Sequence, residues 1–138
     1  MATKILDSWA LIAFFEDEPA AEAVEKILEQ AAAERHKLLM SVVNWGEVYY
    51  NTAREVSEAA AEQKLKEMAA MPVEIVPADQ HLTHQAAIFK AAHKMSYADC
   101  FGAALAKLRN AEFVTGDPEF KSIEKEIKIN WLTAEHQN

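Results

Sequence analysis

An α/β fold, in which helices cover a parallel five-stranded sheet, follows from three features of this sequence. Short apolar runs alternate with longer segments of helical periodicity, and hairpin signals are nearly absent. The 138 residues are 51% apolar and 26% charged with only 3 Gly and 4 Pro, a composition that fits one compact globular domain. Strands separated by helices pair in parallel through crossover connections. The length suits a single domain spanning 1–138, and no linker, repeat or low-complexity segment interrupts it.

The elements follow in order. Residues 2–7, ATKILD, are a short apolar run ending in Asp7, and Ser8 with Trp9 begins a helical turn. After Glu16-Asp17-Glu18, Pro19 suits the first position of a helix reaching about Arg35, because Ala20, Val24, Ile27, Leu28 and Ala31 share one face. The run 38–43, LLMSVV, predicts a buried strand, and Asn44 followed by Glu47 opens the next helix as a capping box. Ser57 caps the Ala-, Glu- and Lys-rich helix 59–70, which Pro72 stops before the β-branched Val73, Ile75 and Val76. Asp79 caps a helix to about Lys94, and Ser96 with Asp99 caps CFGAALAKLRN. Glu112 to Thr115 form a strand closed by Gly116-Asp117-Pro118, and a short helix and a last strand, IKINWL, complete the five-stranded count.

Charge and cysteine usage narrow the function. The formal net charge is -8, from 22 acids against 14 Lys and Arg, which argues against holding nucleic acid on a broad basic face. It leaves room for a site where divalent cations gather the acids. Arg54, Arg109 and the lysines are scattered, so no RNA track is legible. The lone Cys100 excludes an internal disulfide framework and suits a reducing compartment. No apolar run approaches the roughly 18 residues of a membrane span, and the N-terminal stretch, interrupted by Asp7, lacks a signal-peptide pattern. The expected location is the cytoplasm.

Several chemistries drop out for want of their motifs. Phosphate-cradling glycine loops, the G-x-S-x-G elbow and H-E-x-x-H are absent. His81 and His84 stand three apart with no third ligand at zinc spacing, which fits a solvated helix face, and Cys100 reads as a small buried hydrophobe. What remains is four carboxylates, Asp7, Glu47, Asp99 and Asp117, each where a strand ends or a helix begins. Taken singly, each has a plain explanation as a helix cap. Taken together, Asp7, Glu47 and Asp117 would converge on the carboxyl edge of a parallel sheet, with Asp99 facing the same crevice. Crowded carboxylates cannot all stay ionised without compensation, and hard oxygen ligands suit Mg²⁺ or Mn²⁺. With no protein nucleophile in view, the economical chemistry is attack of metal-activated water on a phosphodiester.

The segments ILDSWALIAFF with Asp7, LLMSVVNWGEVYY with Glu47, MSYADCFGAALA with Asp99 and FVTGDPEFKSI with Asp117 stand in an order and spacing that resembles a known family. It is that of the PIN-domain ribonucleases, and within it the VapC-type toxins of bacterial and archaeal toxin-antitoxin pairs. The resemblance covers essentially the whole chain. It implies an α/β/α sandwich, RNA cleavage dependent on Mg²⁺ or Mn²⁺, a homodimer, and inhibition by a small antitoxin protein. It carries a catalytic, metal-holding quartet onto Asp7, Glu47, Asp99 and Asp117, and supporting hydroxyls onto Ser8 and Thr115. Trp9 departs from the pattern, which more often has a smaller residue after the Asp-Ser pair, and Trp45 stands two residues before Glu47. Either ring could stack on an RNA base, although packing in the core or at a dimer contact is the plainer role for a large aromatic. The same four acids would also serve a PIN nuclease of RNA maturation that has no antitoxin, or a silent acidic pocket that only binds. A phosphorylated receiver domain would want further acids beside the first strand's end and a late Lys, whereas Asp7 stands alone.

Overall fold

The computed structural model describes residues 2–132. Its elements are β1 (Ala2–Leu6), α1 (Ser8–Phe15), α2 (Ala21–Ala32), β2 (His36–Ser41), α3 (Val42–Glu55), α4 (Glu58–Ala69), β3 (Glu74–Val76), α5 (Gln80–Ala92), α6 (Tyr97–Leu108), β4 (Glu112–Thr115), a 3₁₀ helix (Pro118–Ile123) and β5 (Ile129–Trp131). The five strands form one all-parallel sheet in the order β3-β2-β1-β4-β5. This is the sheet the alternation of runs and helices predicted; residue 1 and residues 133–138 of the expected 1–138 domain lie outside the described residues.

Side-chain alternation along the central strands builds two cores. Ile5, Leu39 and Phe113 point to one face and pack with α5 and α6 through Phe89, Leu105 and Cys100. Leu6, Leu38, Met40 and Val114 point to the other and pack with α1 to α4 through Leu11, Val24, Leu28, Val48 and Met68. The result is a helix-sheet-helix sandwich whose strands are apolar on both sides, as a buried parallel sheet requires. Trp9 and Trp45 are both half-buried against this second core, so both rings pack. Among the described residues no helix is long and apolar enough to cross a membrane.

Boundaries differ from the sequence reading in instructive places. The second strand was expected over 38–43 but ends at Ser41, whose Oγ accepts from the Val43 N–H at 3.2 Å and so caps α3. Val42 and Val43, β-branched residues that favour strands, therefore open a helix because the cap and the packing outweigh propensity. Asn44 consequently lies inside α3, fully buried, and closes no capping box. The second helix starts at Ala21, beyond Pro19, and ends at Ala32, short of Arg35. Its end is set by Glu34, which adopts φ 59°, a left-handed conformation normally left to glycine after a helix. The Arg35 N–H then closes back on the Gln30 carbonyl at 2.9 Å.

Gly116 is fixed by close approach. A Cβ there would collide with the Leu132 carbonyl and the Trp9 ring, so no larger residue fits between β4 and the 3₁₀ helix without moving backbone. Gly116→Ala is expected to cost about 1–3 kcal/mol through overpacking. The measurement is urea unfolding, where the midpoint should fall with the m-value unchanged.

Candidate active site

The sheet order reverses at β1, because the chain passes from β1 to β2 and β3 on one side and returns to β4 on the other. A crevice opens at the carboxyl ends of strands at such a reversal, and the residues that follow β1 and β4 line it. Asp7 follows β1 directly. Its Oδ1 accepts from the Ala10 N–H at 2.9 Å, capping α1, and its Oδ2 accepts from the Thr115 hydroxyl at 2.6 Å. Thr115 is the last residue of β4, and its Oγ1 in turn accepts from the Asp117 N–H at 3.1 Å. Asp117 then caps the 3₁₀ helix, accepting from the Glu119 N–H at 3.0 Å. The ends of two neighbouring strands are thus joined through one threonine hydroxyl.

The other two acids come from helices. Asp99 sits in the first turn of α6, its N–H donating to the Ser96 Oγ at 3.1 Å. Glu47, in α3, accepts on Oε1 from the Ser8 hydroxyl at 2.8 Å and from the Asn44 amide at 2.9 Å. The Asn44 amide also donates to the Ala98 carbonyl at 3.1 Å and so ties α3 to the start of α6. Both hydroxyls singled out in the sequence therefore contact an acid, Ser8 contacting Glu47 and Thr115 contacting Asp7.

Carboxylate oxygens of Asp99, Asp117 and Glu119 lie within 4.8 Å of one another. Glu119 was not among the residues singled out in the sequence. Its signal was the D-P-E spacing, which places it in the first turn of the helix that Asp117 caps. Asp7 and Glu47 stand outside this triplet but near it. Burial pushes the Asp7 carboxyl up to about 8, against the hydrogen bonds from Thr115 and Ala10, with the charges of Asp99 and Asp117 adding to the rise. Burial likewise pushes Asp99 up to about 7, reinforced by the charges of Asp117 and Glu47.

Among the described residues no cationic side chain pairs with this cluster. Among the described residues the ion pairs are Lys4–Glu112, Lys37–Glu74, Lys64–Glu67 and His93–Glu126, and none reaches the five acids. An uncompensated set of carboxylate oxygens at ligand separation matches the donor preference of a hard divalent ion. The capping explanations hold in part. Asp7 and Asp117 do cap helices, and Asp99 lies where a cap bonds it, yet the three stand close enough for their charges to act on one another. Elsewhere, His81 and His84 are exposed on α5 and Cys100 is fully buried.

The raised carboxyls carry a pH signature. In the folded chain Asp7 keeps a proton up to about pH 8 that the unfolded chain releases near its ordinary value of 3.8. Folding stability in the absence of metal is then greatest at the acid end of that window and declines as pH rises through it. The melting temperature in EDTA is expected to fall between pH 5 and pH 8. Asp7→Asn should flatten that profile and melt above the wild type at pH 8. A flat wild-type profile would contradict the buried, crowded carboxyl.

Comparison with known proteins places the fold. Residues 4–126 match the family model of the PIN domain. No curated relative matches the sequence. Among solved structures the chain is similar to one in the DNA-bound VapBC complex from Salmonella typhimurium, at 15% identity and TM-score 0.75 over 96% of this chain and 100% of that one. It is similar to a chain of VapBC2 from Rickettsia felis bound to a promoter DNA fragment, at 16% identity and TM-score 0.73 over 95% and 99%. It is also similar to VapC20 of Mycobacterium tuberculosis, described as a Sarcin-Ricin loop cleaving toxin, at 14% identity and TM-score 0.69 over 86% and 93%. At such identities the likeness is one of fold. The family match runs from β1 through the 3₁₀ helix and includes every acid of the crevice, and on that ground the chain belongs to the PIN-domain family.

Proposed function

We propose that this protein is a divalent-metal-dependent endoribonuclease, the toxin of a toxin-antitoxin pair. The observation that carries the reading is the cluster of Asp99, Asp117 and Glu119, unpaired with any cation among the described residues, with the buried Asp7 near enough to feel the charges of Asp99 and Asp117. A phosphodiester brought against these carboxylates is repelled by them, so the acids cannot bind it unaided. Mg²⁺, or Mn²⁺ in its place, would supply that missing charge, lower the pKa of a water, and stabilise the attacked and leaving oxygens.

The protein groups divide the remaining work. Asp99, Asp117 and Glu119 offer the ligand oxygens, while Asp7, held at both oxygens, fixes the floor of the site. Glu47 has Oε1 committed to Ser8 and Asn44, which leaves Oε2 with a single long contact of 3.4 Å from the Tyr50 hydroxyl. That oxygen is the one free to orient a water or take its proton. In the absence of a cation Asp7 keeps its proton at neutral pH and Asp99 is only partly ionised there, so binding of a cation by Asp99 would release a proton.

The fold shared with toxin-antitoxin complexes supports a small antitoxin as partner. The electrostatics support it too, since an arginine from a partner could pair bidentately with a carboxylate of the crevice and compete with the metal. A homodimer in the cytoplasm belongs to the same reading.

RNA cleavage should require Mg²⁺ or Mn²⁺ and stop in EDTA. Asp99→Asn and Asp117→Asn should each lower kcat by about 10²–10³-fold, the scale of losing one charge-stabilising group at a reaction centre. Cleavage that survives exhaustive chelation would sink the mechanism. In a bacterial host the wild type alone should slow growth, Asp99→Asn should not, and a small neighbouring gene should restore growth and co-purify. Equal growth in every culture, with RNA cleavage intact in vitro, would favour the RNA-maturation role instead.

A further inference from the structure

Among the described residues the large hydrophobic side chains left in solvent are Tyr50 at 43%, Val56 at 68%, Ile88 at 47% and Tyr97 at 45% exposure. Two of them border the acidic crevice. Tyr50 reaches Glu47 with its hydroxyl, and Tyr97 opens α6 two residues before Asp99. Tyr50 also carries the Arg54 guanidinium over its ring, 5.0 Å from the centroid. Glu47, Tyr50 and Arg54 are three and then four residues apart in α3, so they form one stripe leading outward from the crevice. Arg54 is exposed and, among the described residues, pairs with no acid. A half-exposed ring with a guanidinium on one face, and no acid paired to that guanidinium, is a combination that holds a single strand, the ring's outward side stacking on a base and the cation meeting a phosphate.

We propose that Tyr50 and Arg54 form a substrate subsite at the rim of the crevice, the phenol ring stacking on a nucleobase and the guanidinium pairing with a phosphate of the same strand. The inference rests on the ribonuclease reading and adds where the strand is gripped. It gives an acidic protein a local cationic foothold beside the acids that would cut. The hydroxyl contact with Glu47 is long at 3.4 Å, and the exposed asset of Tyr50 is its ring.

The test is steady-state cleavage of a fluorescent RNA oligonucleotide in Mg²⁺ by wild type, Tyr50→Phe, Tyr50→Ala and Arg54→Gln. Both side chains are exposed, so these changes leave the core intact. Tyr50→Ala should raise KM about tenfold, the scale of one lost base stack, while Tyr50→Phe keeps the wild-type KM. Arg54→Gln should weaken binding and reduce the slope of log affinity against log salt by about 0.7, as expected for one phosphate contact to a single strand. Wild-type KM in Tyr50→Ala, with the wild type active, overturns the subsite alone. A shifted elution volume in that variant would then assign the ring to a contact between chains. Equal KM losses in Tyr50→Phe and Tyr50→Ala would also overturn it, because the hydroxyl and not the ring would then matter. A wild type that cuts no RNA overturns the ribonuclease reading and the subsite with it.

Discussion

The buried hydrogen bond from Thr115 to Asp7 is the constraint on which the rest of the site depends. It joins residues 108 positions apart in sequence, at the carboxyl ends of two adjacent parallel strands. The cost of burying Asp7 is partly offset because each of its oxygens is hydrogen-bonded, one of them to the first turn of α1. Thr115 serves two partners with one hydroxyl, donating to Asp7 and accepting from the Asp117 N–H. A change at this threonine would therefore loosen α1, β4 and the 3₁₀ helix together. The acids are positioned by one short chain of bonds.

That arrangement sets stability against chemistry. Buried and mutually repelling carboxylates raise their own pKa values, so the metal-free chain relieves the strain by keeping protons. A group that must be protonated to be comfortable in the apo fold is one that a cation can recharge at little further cost in conformation. On the proposed reading, the repulsion that destabilises the cluster when all its acids are ionised is also what would favour a bound cation.

Much of this was legible in the sequence, and the parts that were not share a cause. The alternation of short apolar runs and helical segments predicts the sheet, and Asp7, Asp99 and Asp117 stand where helices begin, whereas Glu47, expected at such a boundary, lies inside α3. The spacing of Asp117 before Pro118 marks a cap, and it is one. By contrast, Val42 and Val43 look like strand and are helix, because Ser41 captures the Val43 N–H and tertiary contacts decide the boundary. Asn44 looks like a cap and is a buried bridge between α3 and α6, a role that depends on a residue 54 positions away. Glu119 was invisible for a related reason. An exposed acid in a helix's first turn is ordinary until the fold brings Asp99 beside it. Local pattern reports where chemistry can stand, and only long-range packing reports which groups meet.

The packing that makes them meet runs through α6. This helix buries Cys100, Phe101, Gly102, Ala103, Ala104, Leu105 and Ala106, a run of mostly small side chains that lets its axis lie close to its neighbours. At Gly102 the approach is near its limit, since a Cβ would stand 3.0 Å from both the Asn44 Oδ1 and the Phe113 ring. The residue at 102 is small because α3 and β4 converge on it, and that convergence carries Asn44 to the Ala98 carbonyl and Asp99 to Asp117. A larger side chain would push the start of α6 away from β4 and open the acidic triplet without touching any acid. The charge geometry of the site is thus written partly in residues that carry no charge, which is why an intact set of acids in a sequence is necessary for the chemistry but does not by itself assemble it.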